Sequence, residues 1–136
     1  MINEDFTNLK VARNLIIEII SIVLTTREKL LYQRIIQVEE FNKIFEDGEI
    51  PLCRIADEMA IIINQELLTP VISYQQEFES VCNEVKSALQ NSENPHKLIS
   101  TLNELTFFFD NIIHNKKAYP DTIKILGDIK SICNRC

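Results

Sequence analysis

Apolar residues recur along much of the chain at alternating steps of three and four positions, the spacing that places them on one face of an α-helix. Three segments show such stripes, whose members are Leu31, Ile35, Val38, Asn42 and Phe45; Val71, Tyr74, Phe78, Val81, Val85 and Ala88; and Leu98, Leu102, Leu105, Phe109 and Ile112. Bundle helices present stripes of this kind to one another. The pattern therefore predicts an all-α fold.

A fourth segment, residues 15–24, is apolar nearly all round instead of on one face. Its β-branched residues favour strands by propensity, but no hairpin turn signal flanks it. As a helix, it is expected to be the most buried element of the bundle or to contribute to a dimer interface. Homodimerisation through this first helix is therefore a hypothesis, and light scattering or sedimentation tests it.

Prolines and capping residues mark the predicted helix boundaries. Proline suits the first helical position, where its missing N–H has no partner to lose, and Asn94 before Pro95 is a good N-cap. The sequence Thr-Thr-Arg-Glu at 25–28 has capping-box spacing, and Gly48 resembles a helix C-cap. With Pro51, Pro70 and Pro120, these signals predict helices at about 5–24, 26–46, 51–68, 70–91, 95–114 and 120–134.

Length and composition narrow the architecture further. A chain of 136 residues is one domain by length, and it has only two glycines, Gly48 and Gly127. Tight hairpins and phosphate-binding loops need glycine for positive φ angles, so the composition argues against multi-stranded sheets, P-loops and Rossmann folds. The prediction is a single antiparallel bundle of about five to six helices that covers residues 1–136.

Acidic residues are concentrated in the middle of the chain, whose formal net charge is −6. Residues 39–84 contain eleven acidic and two basic side chains, whereas the rest of the chain contains nine acidic and twelve basic ones. This balance argues against binding to nucleic acid or to an anionic membrane surface. An acidic region of this kind attracts a basic protein partner or the flanks of a second copy, or it is a solvated face.

The cysteines and the chain start favour an intracellular, reducing compartment. Cys53 and Cys82 fall in apolar segments, and the terminal Cys133–Cys136 pair has CxxC spacing without the two further ligands that a zinc site needs. The first five residues are acidic, unlike a signal peptide, and the most apolar run, 11–24, is too short to span a bilayer. A soluble, cytoplasmic protein without a membrane span is expected.

No catalytic constellation is visible in the sequence. His96 and His114 lack the spacing of zinc-peptidase or di-iron sites, and no nucleophile motif occurs. The acidic pairs Glu39-Glu40 and Asp57-Glu58 are similar to parts of the magnesium-binding repeats of helical nucleotide pyrophosphohydrolases, but position 43 is Lys and the second repeat is missing. We therefore predict a protein that is not an enzyme and has no catalytic residues, no cofactor and no metal ligands.

The sequence Gln-Glu-Leu-Leu-Thr-Pro at 65–70 resembles the H-box of histidine-kinase dimerisation domains, His-Glu-Leu-x-Thr-Pro. Gln65 stands where that family has its phosphorylated histidine, and an amide has no nucleophilic nitrogen. The resemblance implies an adaptor or mimic that docks onto a kinase or response regulator without accepting a phosphoryl group. It also implies that 71–88 and 98–112 pack as an antiparallel hairpin.

A second resemblance covers Phe-Glu-Asp-Gly at 45–48 and Arg54-Ile55. It is similar to the first homology motif of Bcl-2-like proteins, in which a Phe-x-Asp-Gly turn precedes Arg-Ile at the start of the central helix. It implies a compact, viral-type apoptosis regulator with an exposed groove around that helix. The chain departs from the family at 51–53, where Pro-Leu-Cys replaces Asn-Trp-Gly, and at Asp57-Glu58, which places charges on a helix expected to be buried.

Together these patterns predict a non-enzymatic protein–protein interaction module, such as a small regulator, an inhibitor or a chaperone-like bundle. It is expected to bind a protein partner through an apolar helix face and an acidic surface. Consecutive helical side chains point about 100° apart, so the three phenylalanines at 107–109 cannot all enter one core. The candidate partner-binding residues are Glu46, Asp47, Glu49, Gln65, Glu66, Phe107 and Phe108.

Overall fold

The computed structural model describes residues 7–63, 75–114 and 122–134, and nearly all of these are helical. A π-helical segment, Ile44–Glu49, joins the second and third α-helices without a break, so the described residues form five continuous helices and no strand. This confirms the predicted all-α bundle. The α-helices are α1 (Thr7–Tyr32), α2 (Val38–Lys43), α3 (Ile50–Ile63), α4 (Gln75–Gln90), α5 (Pro95–His114) and α6 (Thr122–Asn134).

The first helix lies at the centre of the bundle. It contacts each of the other described helices, which explains why its sequence is apolar on almost every side. Polar side chains of α1 add links to its neighbours: Arg13 donates to the carbonyl oxygen of Ala56 on α3 over 3.2 Å, and Lys29 donates to that of Gln90 on α4 over 3.1 Å. α1 is therefore a core helix, which is the first of its two expected roles, and its expected role in a dimer stays an untested hypothesis.

The α5 stripe is confirmed as a core face. All five of its members are buried, and they join α1, α3, α4 and α6 residues in one hydrophobic cluster. In α4, Val81 and Val85 are buried and Phe78 and Ala88 partly so, while positions 71 and 74 lie outside the described residues. Two of the three stripes thus pack as helical spacing predicts, as far as the described residues extend. The buried α5 members are Leu98, Leu102, Leu105, Phe109 and Ile112.

The stripe that begins at Leu31 does not form a core face. α1 continues to Tyr32, so Leu31 belongs to a different helix from the later members of the stripe. Ile35, Val38 and Phe45 are exposed, whereas the core receives Ile36 and Ile44 from the same region. The prediction for this stripe was wrong because a turn at 33–37 separates its first members from its last.

The capping-box prediction at 25–28 was also wrong, because this sequence lies inside α1. The hydroxyl groups of Thr25 and Thr26 donate to the carbonyl oxygens of Ser21 and Ile22, one turn earlier, over 3.1 and 2.8 Å. Threonine hydroxyl groups can form such hydrogen bonds inside a helix, so a threonine does not have to be the N-cap of a helix.

Helix α1 ends instead at Tyr32, and Arg34, two residues later, has a left-handed backbone conformation with a φ of 62°. The backbone N–H of Ile35 donates to Leu30 over 2.9 Å and that of Arg34 donates to Leu31 over 3.0 Å. These are the two hydrogen bonds of a Schellman motif. The motif usually contains glycine at this position, so the sequence lacked the usual signal for the end of the helix.

The start of α5 agrees with its sequence signals. Pro95 is its first residue, and the Asn94 side-chain oxygen accepts hydrogen bonds from the backbone N–H groups of His96 and Lys97 over 2.9 and 3.2 Å. This is the N-cap geometry that asparagine favours. The predicted starts at Pro70 and Pro120 lie outside the described residues.

Gly48 does not cap a helix, contrary to the prediction. It lies within the π-helical segment, and the chain continues directly into α3. A Cβ atom at this position would lie 2.6 Å from Cδ1 of Leu102 on α5. Gly48 is therefore required by the close approach of two helices and not by a helix end.

Candidate functional site

Exposed apolar and acidic side chains occur together around α2 and the π-helical segment. Ile35, Val38 and Phe45 expose 40%, 61% and 41% of their area, and Val38 and Phe45 are two turns apart along one continuous helix. Exposed carboxylates lie next to them in the chain, together with one exposed base, Lys43. We call this the α2 surface, and it consists of Ile35, Val38, Phe45, Glu39, Glu46 and Asp47.

A buried ion pair connects the segment that carries the α2 surface to α1. The Nε and Nη2 atoms of Arg27 on α1 donate to the two carboxylate oxygens of Glu49, the second over 3.3 Å. The guanidinium carbon lies 4.5 Å from the centre of the Phe41 ring and 5.1 Å from that of Phe45. Cation–π contacts of this kind restrain both rings. Arg27 therefore restrains one side of the Phe45 ring, while 41% of the Phe45 side chain is exposed to solvent.

The ionisation of Glu49 reflects two opposing effects. Burial raises the pKa of its carboxyl group, while the hydrogen bond and the positive charge of Arg27 lower it; the charge of Glu28 adds a small rise. Glu49 is 3% exposed. Its prediction as a partner-binding residue is therefore corrected: its carboxylate joins α1 to the π-helical segment and does not face solvent.

The π-helical segment determines which acidic residues reach the surface. Ile44, Gly48 and Glu49 are buried, whereas the three residues between Ile44 and Gly48 are exposed. π-Helical turns inside α-helices frequently occur at functional sites. Glu46 and Asp47 are thus exposed side by side, as the partner-binding prediction requires, although the prediction itself stays untested.

The phenylalanines of α5 divide between the core and the surface. Phe108 is buried and packs edge-to-face on Phe109, with ring centres 5.7 Å apart and planes at 69°. It is therefore a core residue, which corrects its prediction as an interface residue. Phe107 is 68% exposed, in agreement with the argument that the three rings cannot all enter the core. The remaining candidates, Gln65 and Glu66, lie outside the described residues.

Two features implied by the resemblances differ from the structure. The histidine-kinase resemblance implies a hairpin of α4 and α5, but α4 packs mainly on α1 and α6, whereas α5 packs mainly on the π-helical segment and α3. The Bcl-2-like resemblance implies a turn at 45–48, but these residues lie within a continuous helix.

Two of the described thiol groups have a raised pKa, which disfavours the thiolate form. Cys53, Cys82 and Cys133 form no disulfide with one another. Burial, reinforced by the charges of nearby acidic residues, raises the pKa of Cys82 to about 11 and raises that of Cys53 as well. Because the thiolate is the reactive form, these two side chains are protonated and unreactive at neutral pH.

A group of potential metal ligands lies between α3 and α5. One ligand atom from each of Glu58, Asp110 and His114 lies within 4.8 Å of the other two. Ligand motifs along single helices do not include this group, because Glu58 is distant from Asp110 and His114 in the chain and approaches them only in the folded structure. The spacing of Asp110 and His114, four residues apart on one predicted helix, was the only available signal.

Comparisons with protein-family models, with curated proteins and with solved structures found no match. None of the helices that the structure describes combines the length and apolar character needed to cross a membrane.

Proposed function

We propose that the protein is a non-catalytic interaction module whose α2 surface binds a basic, amphipathic segment of a partner protein. The observation that supports this proposal is the exposure of Val38 and Phe45 on one side of a continuous helix, with Glu39, Glu46 and Asp47 beside them. Surfaces that bind a helical segment contact its apolar residues at helical spacing, and the charges around that contact select the partner.

The apolar part of the surface supplies the contact area. Aromatic residues are enriched at interfaces, and anchors held in position lose little conformational entropy on binding. Phe45 meets both conditions, because Arg27 restrains one side of its ring. Val38 is more exposed than either Ile35 or Phe45. We therefore assign the main apolar contacts to Val38 and Phe45.

The acidic part of the surface specifies the charge of the partner. Three exposed carboxylates accompany a single exposed base at residues 38–47. A segment with lysine or arginine beside its apolar residues complements this surface, whereas an acidic segment is repelled. Electrostatic complementarity acts strongly on the association rate and is screened by salt.

The first experiment uses two synthetic helical peptides with leucines at the same positions, one with lysine and the other with glutamate at the remaining positions. We expect the Lys/Leu peptide to bind and the Glu/Leu peptide not to bind, as measured by fluorescence anisotropy. Val38→Ser is expected to weaken binding about tenfold. The matched control is Ile61→Ser, which truncates an aliphatic side chain that is 72% exposed on α3.

A pair of charge reversals tests the acidic part. Glu46→Lys should weaken binding of the Lys/Leu peptide and reduce its salt dependence, because it places a repulsive charge on the α2 surface. Glu18→Lys makes the same change in net charge at an exposed position on α1 that lies outside this surface, and it should have little effect. The proposed binding surface would be contradicted if Glu46→Lys and Glu18→Lys lost the same affinity for the Lys/Leu peptide. It would also be contradicted if Val38→Ser and Ile61→Ser lost the same affinity.

Crosslinking from the α2 surface then identifies the native partner. A photo-crosslinking amino acid at position 38 is expected to capture a protein in the source cells, and the crosslinked segment should carry basic and apolar residues at helical spacing. A crosslinked segment that is acidic, or that lacks apolar residues at this spacing, would argue against the proposed partner chemistry.

A further inference from the structure

Two carboxylates and one imidazole converge where α3 packs against α5. Asp110 and His114 lie one turn apart on α5, and His114 Nε2 is 3.3 Å from Asp110 Oδ1. Glu58 approaches them from α3, so that ligand atoms of all three side chains lie within 4.8 Å of one another. The three residues are exposed or half-buried, which leaves the group open to ions in solution.

One separation within the group agrees with that between neighbouring ligands of a metal site. In a tetrahedral zinc site with ligand distances of about 2.0–2.2 Å, neighbouring ligand atoms are about 3.3–3.5 Å apart. The Asp110–His114 separation already has this length. The ligand atom of the exposed Glu58 lies within 4.8 Å of the other two, so it has to approach them by at most about 1.5 Å to reach the same separation.

The charges around the group also favour a cation. Among the described residues, no Lys or Arg side chain forms an ion pair with Glu58 or Asp110, and the imidazole of His114 is the basic group beside them. A bound divalent ion neutralises both carboxylates at once.

We propose that Glu58, Asp110 and His114 bind a divalent transition-metal ion, and that Zn²⁺ suits the set well. Carboxylate and imidazole ligands accept Zn²⁺ or Mn²⁺, whereas Mg²⁺ and Ca²⁺ prefer oxygen ligands alone. Three protein ligands leave at least one coordination position to water. The ion links α3 to the last turn of α5. This proposal does not depend on the proposed function of the α2 surface.

The test measures metal binding by untagged, metal-free protein, using isothermal titration calorimetry and thermal unfolding. We expect ZnCl₂ to bind with one equivalent at this site and to raise the Tm, because an ion that binds the folded state stabilises it. MgCl₂ at the same concentration should produce neither effect. MnCl₂ should broaden the NMR signals of residues near Glu58, Asp110 and His114 selectively, which locates the site.

Variants separate this group from other ligands. His114→Ala should abolish zinc binding and Glu58→Gln should weaken it at least tenfold, while His96→Ala, which removes the other exposed histidine, should leave it unchanged. Cys136→Ser breaks the terminal CxxC pair and should also leave binding unchanged. Circular dichroism checks that each variant is folded. The proposal would be overturned if the parent protein did not bind zinc or if folded His114→Ala bound it as tightly as the parent protein. Loss of zinc binding in Cys136→Ser would overturn it as well.

Discussion

The two glycines of the chain occupy opposite environments, which gives a test at the scale of single residues. Gly48 faces Leu102 so closely that a Cβ atom would lie 2.6 Å from Cδ1 of that buried side chain, whereas nothing lies within 4 Å of a Cβ at Gly127 in α6. Alanine is favoured over glycine by about 0.5–1 kcal/mol within a helix. At Gly48 this gain is opposed by an overpacking cost of about 1–3 kcal/mol.

We therefore predict opposite signs for the same substitution. Gly48→Ala should lower the free energy of unfolding by about 1 kcal/mol, since the overpacking cost exceeds the gain in helix propensity. Gly127→Ala should raise it by about 0.5–1 kcal/mol. Urea unfolding followed by circular dichroism measures both values, and each variant is the control for the other. Stabilisation by Gly48→Ala would mean that α5 does not approach the π-helical segment as closely as described.

At the scale of helices, the Arg27–Glu49 pair joins α1 to the segment that carries the α2 surface. Removing one member of a buried ion pair costs about 3–5 kcal/mol, because the other charge is left buried without a partner. Arg27→Met keeps an apolar side chain between Phe41 and Phe45 while it removes the charge. We predict that this variant is destabilised by an amount in that range.

The stability lost in Arg27→Met should depend on pH in a defined direction. Arg27 opposes the rise in pKa that burial causes at Glu49, so removing Arg27 raises the folded-state pKa of Glu49 further above its unfolded value. A folded state that binds a proton more tightly than the unfolded chain loses stability as the pH rises through its raised pKa. The deficit of Arg27→Met relative to the parent protein should therefore be larger at pH 8 than at pH 5, as urea unfolding will measure.

The double variant Arg27→Met/Glu49→Met is the control for this argument. It removes the second charge as well, so it should recover much of the lost stability and show no extra pH dependence relative to the parent protein. A single variant whose deficit is the same at both pH values would contradict the assigned role of Glu49.

The contrast between two stripes explains how far helix packing was predictable from the sequence. The α5 stripe was predicted in full, because Asn94 and Pro95 define where its helix starts and no turn interrupts it. The stripe from Leu31 to Phe45 has the same spacing, but a turn without glycine divides it. The spacing of apolar residues in the sequence indicates which of them share a face of a helix. It does not indicate whether another helix covers that face.

At the scale of the whole molecule, the sequence predicted the bundle but not which residues meet across it. Core helices are specified by local apolar spacing, which one sequence shows. Glu58 meets Asp110 and His114 only because α3 packs on α5, and Glu49 is buried only because Arg27 lies opposite it on α1. These juxtapositions depend on tertiary packing, so residue spacing along single helices did not reveal them.

The homodimer hypothesis also belongs to the scale of the whole molecule, and the exposed surface of α1 argues against it. A stable interface buries roughly 800 Å² on each partner. Because α1 contributes most of its apolar residues to the core of its own chain, the large hydrophobic side chains that it leaves exposed are Ile17, Leu24 and Tyr32, at 44%, 40% and 88%. Three exposed side chains supply only a fraction of the area required.

We therefore predict a monomer of 15.8 kDa in sedimentation equilibrium at tens of micromolar. A species of twice that mass would contradict this expectation, and the variant Leu24→Lys would then identify the surface involved. If Leu24→Lys dissociates the dimer, α1 forms the interface. If the dimer persists in Leu24→Lys and dissociates in Val38→Ser, the α2 surface binds a second copy of the chain, and the partner proposed for that surface is the protein itself.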